Sequence, residues 1–153
     1  MKSFTLSCNI TPEMNFLSTT AALHYFAIIP ILSMCHRQPN RFNRIYFGTI
    51  LLATTFSIVW HAYPKSPYLF IGDHLFAALW FLLDFMWYKL LDKAIIFELN
   101  CTVSMLYLLS CISTNYTAAH SAWHIVSAAK CLYVSYIISK FDGKTSNITY
   151  NLP

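Results

Sequence analysis

The sequence predicts an all-α protein, a polytopic transmembrane helix bundle of about five spans. Three observations predict it. Of the 153 residues, 57% are hydrophobic, 17% aromatic and only 10% charged, where a soluble domain carries roughly 25% charged residues. Ten basic and six acidic side chains cannot cover a water-facing surface of this size, and so apolar a chain is not intrinsically disordered. The apolar residues also fall into stretches near the roughly 20 residues that a helix needs to cross a bilayer, with Lys and Arg gathered in alternate breaks.

The spans are taken in order. The first covers about residues 16–34, and Pro30 inside it predicts a kink, which membrane helices tolerate. The segment CHRQPNRFNR separates it from the second, 45–63. Tyr63, Pro64, Lys65, Ser66 and Pro67 form a tight turn, because each proline disfavours helix at the residue before it. The third span runs over 68–88 and ends at Lys89, Asp92 and Lys93; the fourth covers 94–112. Residues 113–117 precede the fifth, 118–139, and a short polar tail follows at 140–153. There is no internal repeat, and the length fits one transmembrane domain over 1–153.

With five spans, Arg37, Arg41, Arg44, Lys89, Lys93, Lys140 and Lys144 share one side, and the other holds only Lys2 and Lys65. This asymmetry predicts a cytoplasmic C-terminus, with the N-terminus, the 64–67 turn and the 113–117 loop on the non-cytoplasmic side. The net charge of +4 is spread along loops and forms no patch, so no nucleic-acid partner is expected. The N-terminus lacks the basic-then-apolar order of a cleaved signal peptide. Cys8, Cys35, Cys101, Cys111 and Cys131 form no CxxC pair, which argues against a thiol–disulfide catalyst; most read as small buried hydrophobes. Trp60, Trp80, Trp87 and Trp123 read mostly as interfacial anchors.

Ionisable residues inside spans are costly and point to function. Here they are His24, His61, Asp73, His74, Asp84, Glu98, His120, His124 and Lys130. The topology brings some of them together. His61 ends the second span, Asp73 begins the third just across the turn, and His120 and His124 begin the fifth. All four therefore sit near the non-cytoplasmic face. His120 and His124 are four residues apart, one helical turn along one face, which lets two imidazoles grip one metal ion. His61 would complete a three-histidine zinc site with the open fourth position that zinc catalysis needs for its water. Asp73 would be a general base or an acceptor orienting a ligand. Ser57, one turn before His61, could hydrogen-bond the water or a developing oxyanion. Of the rest, Lys130 lies mid-span and predicts an ion pair with Asp84 or Glu98. Asp84 follows Asp73 by eleven residues on the same face, His74 points away from Asp73, and His24 is unassigned.

Ser57-Ile-Val-Trp-His61, then Asp73, then His120-Ser-Ala-Trp-His124 resembles the pattern of the CREST superfamily, which includes the alkaline ceramidases, the progestin and adipoQ receptors and the haemolysin-III-like proteins. The stretch from Asp73 through His74, Leu75 and Phe76 is similar to the start of the family's third helix, and His120–Ala129 looks like its last-helix motif. The motifs touch a little under half of the chain. The resemblance implies Zn2+ held by His61, His120 and His124, with Asp73 and Ser57 beside its water, and hydrolysis of an amide or ester bond in a membrane lipid. The family's bundle usually has seven helices. Five spans imply a shortened form lacking two, which keeps His120 on the correct face; a homo-oligomer would help to close its cavity.

Four functions compete at this point. The first is a ceramidase-like intramembrane zinc hydrolase. The second is a receptor-like or scaffolding membrane protein with a structural zinc site. The third is a small b-type cytochrome with histidine haem ligands, and the fourth a transporter using Asp84, Glu98 and Lys130 as a charge relay.

Overall fold

The computed structural model describes residues 11–37, 39, 41–86 and 93–140. Every regular element among them is helical: α1 (Pro12–Ala22), α2 (Tyr25–Arg37), α3 (Arg41–Ala62), α4 (Pro67–Phe85), α5 (Lys93–Ile112) and α6 (Tyr116–Lys140). Helices α1 and α2 together make one rod, so the chain forms five, as expected. Residues 87–92, with the expected end of the third span, Trp87, Lys89 and Asp92, lie outside the described residues, as do Lys2, Cys8 and the tail beyond Lys140.

Local chemistry sets the helix ends. Thr11 caps α1, its hydroxyl accepting from the Met14 N–H at 3.3 Å, and Pro12 fills the first position, where a missing N–H does no harm. Ser66 and Pro67 repeat the device at α4, with the Leu69 N–H 3.4 Å from Ser66 Oγ. The side-chain oxygen of Asn115 accepts from the Ala118 N–H at 3.1 Å and starts α6 two residues earlier than expected. The first span is interrupted at Leu23 and His24 rather than at Pro30, which lies within α2. The backbone there tightens into three-residue hydrogen bonds, His24 N to Ala21 O at 3.2 Å, Phe26 N to Leu23 O at 3.1 Å and Ala27 N to His24 O at 3.0 Å. A proline crowds the carbonyl four residues earlier, here that of Phe26, so the adjustment falls on the turn before it.

Four rods are long and apolar enough to cross a membrane: Pro12–Arg37, Arg41–Ala62, Pro67–Phe85 and Ala94–Ile112. Their outer faces present large apolar residues, among them Ile29, Leu75, Leu82, Phe97 and Leu108, as lipid contact requires. The fifth rod, α6, has 25 residues but carries two histidines, four serines and two lysines; most of these are buried, while Ile125, Leu132, Tyr133 and Tyr136 are exposed. It packs against α1, α2 and α5, while α3 packs against α1, α2 and α4. The rods thus follow an arc, with α4 at one end leaning on α3 and α5 at the other leaning on α6.

The apolar core joins Ala27, Ile31 and Met34 of α2 to Tyr46, Ile50 and Ala53 of α3. It extends to Trp80 of α4, Ile96 of α5, and Cys131, Val134 and Ile138 of α6. Within it lies a buried ion pair between Lys130 of α6 and Asp84 of α4. Lys130 also donates to Asn100 Oδ1 of α5 at 2.9 Å, and Tyr46 of α3 donates to Asp84 Oδ1 at 2.6 Å. This settles the pairing of Lys130 on Asp84; Glu98 is exposed on α5. Trp80 is 6% exposed, with its indole N–H 3.4 Å from the Tyr46 hydroxyl. It is a core residue and not the interfacial anchor expected. Among the described cysteines only Cys131 is buried, while Cys101 and Cys111 face outwards. In lipid an outward thiol is as well placed as an inward one, so apolarity alone does not predict burial.

Helices α3 and α4 approach closely at Gly72, where any Cβ would run into the ring of Phe56, itself stacked on Phe76 at 5.2 Å. Gly72→Ala is expected to lower stability by roughly 1–3 kcal/mol through overpacking, read from unfolding in detergent micelles. Lys130→Met alone should cost about 3–5 kcal/mol by leaving Asp84 buried and uncompensated. Adding Asp84→Asn, which still accepts from Tyr46, should recover most of that loss.

Candidate functional site

At the other end of the bundle the C-terminal turn of α3 meets the N-terminal turns of α6. His61 has Ile-Val-Trp and Ser57 before it on one helix, and the four-residue step from His120 to His124 stacks their rings on one face of the other. The short turns at 63–66 and 113–115 hold these helix ends at one level. The three imidazoles converge. Their ring centroids are 5.1 Å (His61–His120), 5.0 Å (His61–His124) and 4.8 Å (His120–His124) apart. One nitrogen from each lies within 4.8 Å of the others, and all three residues are buried.

The nitrogens themselves suit a metal ion. His61 Nε2 and His124 Nε2 face one another at 2.9 Å, close to the roughly 3.3 Å that two ligands about 2.0–2.1 Å from a tetrahedral zinc would keep. His120 Nε2 and His124 Nδ1 are buried without a hydrogen-bond partner in the protein. A buried imidazole nitrogen with nothing to bond is unfavourable, and a cation held by the Nε2 atoms of the three rings would give His120 Nε2 a partner, though not His124 Nδ1. The described residues therefore bring together the three expected ligands as a group able to hold a metal ion.

Ser57 and Asp73 flank the group. Ser57 is buried on α3, and its hydroxyl makes no hydrogen bond within the protein. Asp73 is buried on α4, with its carboxylate beside the Ser57 hydroxyl and in electrostatic range of His74. Its carboxylate lies 3.7 Å from His74 Nδ1. Among the described residues it makes no hydrogen bond to any of the three rings, which leaves its oxygens available to other partners.

Expected to point away from Asp73, His74 instead lies beside it, and its ring nitrogens are taken up by partners other than the three histidines. Its Nδ1 donates to the Phe70 carbonyl at 2.9 Å, and its Nε2 meets the hydroxyl of Tyr107 on α5 at 2.8 Å. His24, unassigned from sequence, is buried at the α1–α2 junction. Its Nδ1 bonds the Ala21 carbonyl and its Nε2 the Ser127 hydroxyl, both at 2.9 Å, and its ring meets that of His124 edge-on at 5.8 Å. Aromatic rings wall the site: Tyr116 stacks on His120 at 4.8 Å, and Trp123 lies 4.9 Å from His120 and 4.6 Å from His124. Sequence reasoning missed the hydroxyl of Ser110 on α5, which lies 3.1 Å from His120 Nδ1. A serine two residues before a helix end carries no signal of its own; only its depth, level with His120 across a three-residue turn, could have marked it.

The chain matches no protein-family model, no curated protein and no solved structure. The site thus rests on its own geometry. Purified in detergent and supplied with zinc or cobalt, the protein is expected to hold about one ion per chain by elemental analysis. His61→Ala and His124→Ala should lose it, and His74→Ala, altered at a ring held elsewhere, should retain it.

Proposed function

We propose that this protein is an intramembrane zinc-dependent hydrolase that cleaves an amide or ester bond in a membrane lipid. The observation that carries the reading is the buried convergence of His61, His120 and His124, with an unpartnered Ser57 hydroxyl one turn away and Asp73 alongside. The motifs around these five residues, shared in pattern with the CREST superfamily, support the same chemistry. So does the Lys and Arg bias, which puts the site on the non-cytoplasmic side near the headgroups, where a lipid's amide or ester linkage lies.

A zinc ion there would supply an acidified water and polarise the scissile carbonyl. Asp73 would accept a proton from the attacking water and return it to the leaving amine or alcohol. Ser57 would donate a hydrogen bond to the carbonyl oxygen as negative charge develops on it. The products are a fatty acid and the amine or alcohol it was joined to. The aromatic wall of Tyr116 and Trp123 would keep bulk water from the reacting centre.

The other readings fit less well. A structural zinc site is closed by four protein ligands, whereas three histidines converge here, which would leave a coordination position open. A haem cannot pass between imidazole nitrogens 2.9 Å apart. A charge relay through Asp84, Glu98 and Lys130 lacks continuity, because Glu98 is exposed on α5 while Asp84 and Lys130 are buried against one another.

The experiment is hydrolysis of labelled lipid amides and esters in proteoliposomes, with release of fatty acid as the readout. Activity should vanish on chelation and return with zinc. Asp73→Asn should lower kcat by about 10²–10⁴-fold, the range of a lost general base, while keeping the metal. A zinc-loaded protein that hydrolyses no lipid amide or ester would overturn the proposal in favour of a receptor or scaffold.

A further inference from the structure

Ser110 sits two residues before the end of α5 and is completely buried. Its hydroxyl oxygen makes two contacts. One is with the Tyr107 carbonyl oxygen of its own helix at 2.7 Å, the other with His120 Nδ1 on α6 at 3.1 Å. A carbonyl oxygen only accepts, so the single hydroxyl proton of Ser110 goes to Tyr107. The contact with His120 must then run the other way: Nδ1 carries the proton and donates it to Ser110 Oγ. A neutral imidazole has one N–H. The lone pair of His120 is therefore on Nε2, the nitrogen left buried and without a partner in the protein.

We propose that Ser110 is the positioning residue of the metal site. Through the chain Tyr107 C=O, Ser110 O–H and His120 Nδ1–H it holds that ring in one tautomer and one orientation, with Nε2 presented as ligand. This inference rests on the metal-site reading above and deepens it. Among the described residues, Ser110 is the one side chain outside the triad that hydrogen-bonds a triad ring. Hydrogen bonds to the far nitrogen of a ligating histidine fix its tautomer and raise its basicity. The arrangement also gives α5 a part in a site to which it contributes no ligand. Its backbone carbonyl, fixed by the helix, is the reference from which the ring is aligned.

Two measurements test it, one of which needs no metal. Nitrogen-15 NMR of the histidine-labelled, metal-free protein in detergent should read His120 as protonated at Nδ1 and bare at Nε2. Ser110→Ala should shift it towards the opposite tautomer. Zinc titration against a competing chelator should find Ser110→Ala weaker by about 10–100-fold, as for other such orienting groups, at unchanged stoichiometry. Ser110→Thr keeps a hydroxyl that can still bond a carbonyl one turn back, and should restore both tautomer and affinity. Wild-type affinity and tautomer in Ser110→Ala overturn the proposal, and an equal loss in Ser110→Thr overturns it in favour of packing. A wild-type protein that takes up no metal overturns the metal reading instead, and the tautomer measurement then still decides whether Ser110 sets the ring.

Discussion

The face of α6 that carries His120, His124, Ser127 and Lys130 cannot lie against lipid, and the arrangement of the other helices follows from that constraint. In hydrocarbon each unpaired polar group costs several kcal/mol, so this face must be covered and its polar groups are driven towards partners on other helices. His120 meets Ser110 of α5, Ser127 meets His24 at the α1–α2 junction, and Lys130 meets Asp84 of α4 and Asn100 of α5. These bonds draw in helices that are otherwise apolar on their outer faces. The four rods that look most like membrane spans cover the polar face of α6, whose opposite face presents Ile125, Leu132 and Tyr136 outwards.

The polar groups divide by depth into two clusters with different chemistry. Around Lys130 nearly every group has found its match: the ammonium has a carboxylate and an amide, and the carboxylate has an ammonium and a phenol. Such a network is nearly saturated, with Asn100 Nδ2 the one of its atoms left without a partner among the described residues. Around His124 the opposite holds. Two imidazole nitrogens and the Ser57 hydroxyl stay unmatched, and Asp73 is tied to none of the three rings. The contrast separates a cluster that holds the fold from one that awaits a ligand. Both sit in the same bundle and the same kind of lipid-facing wall, so their environments alone do not distinguish them.

Much of this was legible in the sequence because topology does the selecting. Once the spans are counted, the ends of α3 and α6 and the start of α4 must lie at one level, and the His120–His124 spacing then needs only His61 to complete a triad. The eleven-residue step from Asp73 to Asp84 was equally readable, since both stay on one face of α4 and both are buried. What failed to read out depended on rotation about a helix axis or on a partner far along the chain. Trp80 resembles any interfacial tryptophan until α4 is turned to face Tyr46. Glu98 and Asp84 are equivalent partners for Lys130 until α5 is seen to turn Glu98 outwards. Outward cysteines are invisible because a lipid-facing surface sets no penalty on a thiol. Pro30 marks a weak place in its helix, but the chain yields about two turns earlier, at Leu23 and His24, where the backbone takes up three-residue hydrogen bonds.

The helix order has a consequence for access. The rods run as an arc in which α4 leans on α3 and α5 leans on α6, so the two ends of the arc approach each other without extensive packing. Two polar ties span that seam. One is the His74–Tyr107 hydrogen bond at the level of the triad, and the other is the Asp84–Lys130–Asn100 cluster deeper in the bundle. The deeper tie passes through a buried ion pair and is expensive to open, because separation strands a charge in hydrocarbon. The upper tie is a single side-chain hydrogen bond, with the His74 side chain a third exposed, and a hydrogen bond of this kind contributes only about 0.5–1.5 kcal/mol. If the seam parts anywhere, it parts beside the triad, so the side of the bundle easiest to open is the side on which the unmatched nitrogens lie.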